Sequence, residues 1–227
     1  MKKFFFIALC AGLCTTAKSQ IYIQAGLNLS TITTNQSSET QKNTSLPTFN
    51  VGALDQFRIK GSLDFETGLL IEGKGSKAKI NASGEDSYTV SFDPFYLEVP
   101  ANLVYYFKFP KKSKLFISAG PYVAIALAGQ SKLVGNIGGV SVDSKTDIQF
   151  SNSSSAANPF DQAYSHLRMF DYGVNFGAGL DFRTLLFKLD YGMGLAQANS
   201  GQIDLSSNDK NKYRVLSISF GVPLSDF

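Results

Sequence analysis

Arg58, Asp64, Glu66, Glu72, Glu98, Lys188 and Asp190 all stand at even positions inside stretches that alternate apolar and polar side chains. Alternation of that kind places them on one face of β-strands, because successive side chains leave a pleated backbone on opposite sides. Five carboxylates and two cations on a shared face can do ionic chemistry. They can line a conduit, coordinate a solute, or neutralise one another as a plug. The width of the space they face decides between these, and a barrel of eight strands leaves an interior just wide enough for side chains to fill. The plug is therefore the favoured reading, with the conduit as its rival.

Other residues offer less. His166 is the single histidine, and with Ser165 or Tyr164 it could be drafted into an acyl hydrolase, but it sits in a polar segment where a solvated imidazole is the plainer reading. Without a second histidine or a cysteine outside the N-terminal leader, no metal set forms, and no cofactor is expected. Gly173, Gly177 and Gly179 lie within one strand, without the following helix that a dinucleotide loop requires. The chain reads as a non-enzyme.

Eight segments must position the charged face. They run approximately 21–31, 48–59, 63–73, 95–107, 115–128, 169–182, 185–196 and 213–222. The sixth contains "FDYGVNFGAGLDF", thirteen residues of unbroken alternation, longer than the five or six of an ordinary strand and suited to crossing hydrocarbon at a tilt. Connections one, three, five and seven are long and polar, whereas two, four and six are "KGS", "KFPKKSK" and "RT". In an up-and-down meander every long loop then falls at one rim, the asymmetry of an outer-membrane barrel with short periplasmic turns and long extracellular loops.

The turns also predict register. "KGS" sets Arg58 opposite Asp64 and Ile59 opposite Leu63. "RT" fits either a two-residue loop or a four-residue loop that pairs Phe182 with Phe187. Pro100 removes a ladder donor in mid-strand and predicts a bulge there. In the fifth connection, strand-like pieces around 140–150 suggest that the fifth and sixth strands continue beyond the membrane as a solvated hairpin ending in a flexible "SNSSSAANP". A ten-stranded barrel is the alternative.

Which face meets lipid follows from composition. The polar face of the first and fifth segments carries no charge and is rich in glycine, as a narrow lumen demands and a solvated outer wall does not. On the apolar face Phe57, Phe65, Tyr105, Phe107, Phe182, Phe187 and Phe220 gather near the short turns, while Phe49, Phe95, Phe170 and Tyr172 mark the other end. Two aromatic girdles around an aliphatic band are what the two interfaces of a bilayer select. A soluble barrel with its apolar face around a ligand has no reason to sort aromatics by depth.

The first nineteen residues read as a secretory signal: Lys2 and Lys3, an apolar run from Phe4 to Leu13, and small residues at Ala17 and Ser19. The division expected is signal peptide over 1–19 and barrel over 20–227. Both cysteines, Cys10 and Cys14, leave with the signal. Lys2, Lys3 and Lys18 account for the whole net charge of +3, so no nucleic-acid partner is implied.

"GLNLST", "FYLEVPANLVYYF", "LFISAGPYVAIAL" and "FDYGVNFGAGLDF" together resemble the porin-family outer-membrane β-barrel domain of PorT type, with the Tyr-Leu-Glu-Val-Pro box the most specific element. The resemblance implies the fold and an outer-membrane location and leaves the individual role open. One departure is the final strand, which ends at Val222-Pro223 and leaves Phe227 off its register. The expected protein is a monomeric eight-stranded barrel whose partners are membrane lipid and, through the loops, another envelope protein or an external ligand.

Overall fold

A computed structural model describes residues 19–33, 42–81, 87–107, 113–137, 140–151, 166–198 and 211–224. Most of the leader, "KFPKKSK" up to Lys112, most of "SNSSSAANP", and Tyr164 and Ser165 lie outside them. Among the described residues every regular element is a strand. In chain order they are β1 (Ser19–Thr33), β2 (Lys42–Thr44), β3 (Leu46–Lys60), β4 (Leu63–Gly73), β5 (Ser76–Asn81), β6 (Ser87–Phe92), β7 (Phe95–Phe107) and β8 (Lys114–Ala128). There follow β9 (Gln130–Ile137), β10 (Val140–Asp147), β11 (Gln149–Phe150), β12 (His166–Leu167), β13 (Phe170–Asp181), β14 (Leu186–Gly194) and β15 (Lys212–Pro223).

Eight of these close into an antiparallel barrel in the order β1-β15-β14-β13-β8-β7-β4-β3, with β3 pairing back onto β1. They are the eight segments marked by alternation, so the ten-stranded alternative falls. Closure leaves no unpaired strand edge, which a sheet in hydrocarbon cannot tolerate. Among the described residues no helix is long and apolar enough to cross a membrane.

The alternation sorts inside from outside. Leu27 is 73% exposed and Leu69, Val123, Phe170 and Tyr172 are each more than half exposed, all on the outer wall. On the opposite parity Gln24, Asn28, Asn50, Glu66, Glu98, Asn102 and Ser219 are buried. Apolar outside and polar inside is the inverse of a soluble ligand-binding barrel.

Turn chemistry explains the register and corrects parts of it. Arg58 faces Asp64, but Leu63 pairs with Lys60 rather than Ile59, which is bulged out. Gly61 at φ +61° turns the chain in two residues, and the bulge absorbs the one left over. At the sixth connection the two-residue loop holds: Phe182 donates its amide to the Leu185 carbonyl at 2.9 Å, and Arg183 takes φ +71°. Pro100 sits within an unshifted register opposite Tyr122, and the irregularity lies instead at Phe95 and Tyr96, where β7 leaves the loop region.

The long loops are more structured than the sequence reading anticipated. β9 and β10 form a hairpin contained within the fifth connection, rather than an extension of β8 and β13. β5 and β6 form a second hairpin in the third connection. β6 pairs with β9 and β5 with β2, giving a five-stranded sheet ordered β10-β9-β6-β5-β2 and drawn from three connections. β11 and β12 add a short parallel pair.

Leu69, paired with Ala53 midway between the two aromatic levels, sets a test of the outer wall. Leu69→Arg is expected to cost about 2–4 kcal/mol, the penalty for a cation at the bilayer midplane. Urea unfolding in lipid vesicles, followed by heat-modifiable gel migration, measures it.

Candidate functional site

The closed barrel encloses a lumen, and four levels fill it among the described residues. Nearest the short turns lies an aromatic and aliphatic layer of Tyr22, Val104, Tyr106, Phe116 and Leu186, continued upward by Leu54 and by Leu70, which pairs with Glu98. Gly179 makes room for it, because a Cβ there would collide with the Phe116 ring. At the adjoining rim Arg58 Nε lies 2.8 Å from Asp64 Oδ1. The Arg58 side chain is 54% exposed and Asp64 is buried, so the pair lies where the lumen opens at the short turns.

Above that layer Glu66 is fully buried and fully partnered. Its Oε1 accepts from Lys188 Nζ at 2.8 Å and Asn102 Nδ2 at 3.0 Å. Its Oε2 accepts from the Tyr22 hydroxyl at 2.5 Å and Gln56 Nε2 at 3.0 Å. Lys188 also approaches Asp190 Oδ1 at 3.2 Å. Five strands converge on this one carboxylate: β1, β3, β4, β7 and β14.

A third cluster, nearer the long loops, is built around Lys74. Its ammonium lies 2.8 Å from Glu98 Oε2 and 2.9 Å from Asp171 Oδ2, with Glu72 at 3.7 Å. The Tyr122 ring centroid is 4.0 Å from the same nitrogen, and its hydroxyl donates to Asp171. Asn175 completes Glu98 by donating at 2.9 Å. Neither Lys74 nor Asp171 figured among the predicted lumen charges. The available signal was parity, since Lys74 continues the even series Glu66, Leu70, Glu72 by one step, and Asp171 occupies the polar face of "FDYGVNFGAGLDF".

Between the two charged clusters remains a polar cavity of about 20 Å³ bordered by Gln24, Glu72, Asn102 and Asp190. That is room for about one water. Beyond Lys74 an apolar layer caps the barrel: Ile32, Phe92, Tyr96, Ile148, Leu167, Ala198 and Tyr213. Phe92 and Ile148 come from the loop region, so the loops help to close the mouth.

On the outer wall, Phe57 faces Phe65, Phe187 meets Phe220 at a tilt with centroids 5.4 Å apart, and Tyr105 meets Phe107 edge to face at 5.1 Å. Phe182 is half exposed beside the sixth turn. At the other end Phe49 and Phe95 meet at 5.1 Å. His166 lies in β12, paired through its backbone with Gln149. Among the described residues no three His, Cys, Asp or Glu are grouped to hold a metal.

A closed eight-stranded barrel, apolar outside and filled with ion pairs between aromatic layers, is a membrane-spanning barrel of the outer-membrane kind. The chain belongs to the outer membrane protein beta-barrel domain family, whose model matches residues 15–199. No curated protein matches the sequence. Among solved structures it is similar to Neisserial surface protein A, at 13% identity over 89% of this chain and 96% of that one, TM-score 0.40. It is also similar to Ail of Yersinia pestis, solved in complex with the heparin analogue sucrose octasulfate, at 12% identity over 90% and 98%, TM-score 0.38. OprG of Pseudomonas aeruginosa matches at 14% identity over 91% and 96%, TM-score 0.40.

Lys74→Met is expected to destabilise the folded barrel by about 3–5 kcal/mol, because it leaves Glu98 and Asp171 buried without their cation. Adding Glu98→Gln and Asp171→Asn to the same chain should recover much of that loss. Equilibrium unfolding of the two variants beside the parent checks both.

Proposed function

We propose that this outer-membrane barrel is a sealed structural and interaction protein that acts through the sheet its loops build, and that it is neither a channel nor an enzyme. The observation that carries the reading is the layering of the lumen. A solute would have to pass the Tyr106–Phe116 layer, the Glu66–Lys188 and Lys74–Glu98–Asp171 clusters, and the Tyr96–Tyr213 cap, and the cavity between the two charged clusters has room for about one water. The lumen charges Glu66, Glu72, Glu98, Lys188 and Asp190 then serve as a plug, and Arg58 with Asp64 as a rim clamp.

In the same reading residues 1–19 direct export, Phe57, Phe65, Tyr105, Phe107, Phe182, Phe187 and Phe220 mark one membrane interface, and the long loops face outward. The protein works as a monomer in contact with lipid and with a partner or ligand met by its loops. The likeness to PorT-type barrels in the Tyr-Leu-Glu-Val-Pro box supports an envelope role of this kind.

A narrow channel for small solutes is the competing function, and single-channel recording separates them. The mature protein in planar bilayers should give no discrete current steps, and neither should a variant carrying Glu66→Gln and Glu98→Gln. Reproducible steps whose size changes with those substitutions would establish a conducting, charged lumen and defeat the sealed reading.

A further inference from the structure

The register across the outer sheet gathers lysines onto one face. Gly73 pairs with Phe95 and Ser76 with Phe92, so the β4–β7 ladder runs into β5–β6 without a change of register. The hydrogen bond from the Lys74 amide to the Pro94 carbonyl, 2.8 Å, bridges the junction. Lys77 and Lys79 therefore keep the parity of Leu69 and Ile71, the outward, lipid-facing parity of the barrel. The opposite parity, Val90 and Phe92, is buried over the lumen.

Pairing carries that outer face across three more strands. Lys77 stands beside Ser91, Ser91 beside Lys132, and Lys132 beside Lys145. In the next row Lys79 stands beside Thr89, Thr89 beside Val134, and Val134 beside Asp143. Lys77, Lys79 and Lys145 are exposed and Lys132 partly so. Lys42 pairs with Lys79 at the sheet's far edge. The face also holds Asp143, 3.7 Å from Lys132, and Asp147, which accepts from Gln130. Both carboxylates are on β10, and a third, Asp93, follows β6 on the parity of Ser91 within the electrostatic reach of Lys145; among the described residues of β5 the face carries only the cations Lys77 and Lys79.

Height completes the argument. Lys77 and Lys79 lie four and six residues beyond Gly73, which is level with Phe95 of the upper aromatic group. At roughly 3.3 Å per residue and a tilt of about 45°, the lysines begin about 9–14 Å above the aromatics. Their flexible stems reach back toward the zone where headgroup phosphates lie.

We infer that Lys77, Lys79, Lys132 and Lys145 form a binding face for the anionic, phosphate-bearing lipid headgroups of the leaflet around the barrel. The occupant is fixed by position. The face continues the lipid-facing wall and looks sideways over the membrane, so the anions beside it are headgroups. Lysines at an interface attract anionic lipid in a salt-dependent way. The inference rests on the membrane barrel and its outward long loops, and is independent of the sealed lumen.

The test uses the full chain, refolded and placed in phosphatidylcholine vesicles containing a minor fraction of a bisphosphorylated glycolipid. Native mass spectrometry after gentle extraction counts the lipids that stay bound, and heat-modifiable gel migration confirms that each variant is folded. The parent should retain a several-fold excess of the glycolipid over its share of the mixture, and the excess should shrink as salt is raised. Replacing Lys77, Lys79, Lys132 and Lys145 together by Gln should bring the ratio to that of the mixture, and replacing them by Arg should keep the excess. An excess that survives in the Gln variant, or that ignores salt in the parent, would overturn the proposal. So would a Gln variant that loses binding to a soluble sulfated polysaccharide while its lipid ratio stays unchanged, since the face would then serve a glycan in solution. Conductance is not read in this experiment, so a current through the lumen would defeat the sealed reading alone.

Discussion

Eight strands closed in hydrocarbon leave an interior about one layer of side chains deep, and every polar group placed there must find its partner within that space. This confinement governs the rest of the molecule. The carboxylate of Glu66 can remain buried because Lys188, Asn102, Tyr22 and Gln56 each supply a donor to it, and those donors come from strands far apart in sequence. The same pairings that satisfy the charge fix how the strands stand relative to one another. Gly173 and Gly179 belong to the same constraint, since side chains there would collide with the Tyr122 and Phe116 rings.

Lys74 shows how the constraint extends to the loops. Its ammonium is held by Glu98 of β7 and Asp171 of β13, and its backbone joins the barrel ladder to the outer hairpin. One residue is therefore shared by the plug and the loop sheet. The apolar cap above it, to which both barrel and loop residues contribute, keeps water away from that ion pair and so strengthens it. Plug, cap and outer sheet form a continuous packed column.

Much of this was legible in the sequence. Strand number and inside-outside sorting follow from a period of two, and the flip of parity between Leu180 and Phe187 asks for an even loop at "RT" without choosing between two residues and four, a choice made by the Phe182 amide on the Leu185 carbonyl. Three things were not. Lys74 stood just past the last clear alternation and read as one of several loop lysines. Ile59 and Leu63 were paired by counting, although a glycine at positive φ tightens the turn and expels Ile59 as a bulge. The five-stranded sheet depends on β6 meeting β9 across two separate connections. Local alternation in "SYTVSF" and "QSKLVGNI" marks each strand but not its neighbour, because pairing between distant segments is decided by the closed barrel that brings them together.

The loop sheet has a consequence for how anything could bind to it. Long exposed connections ordinarily lose much conformational freedom when a partner fixes them, and that loss is subtracted from the affinity. Here β2, β5, β6, β9 and β10 are already tied into one ladder that spans three connections. A partner arriving at this surface meets a shape that exists beforehand, so the entropy of ordering has been met during folding, and complexes formed there can be long-lived without a large contact area.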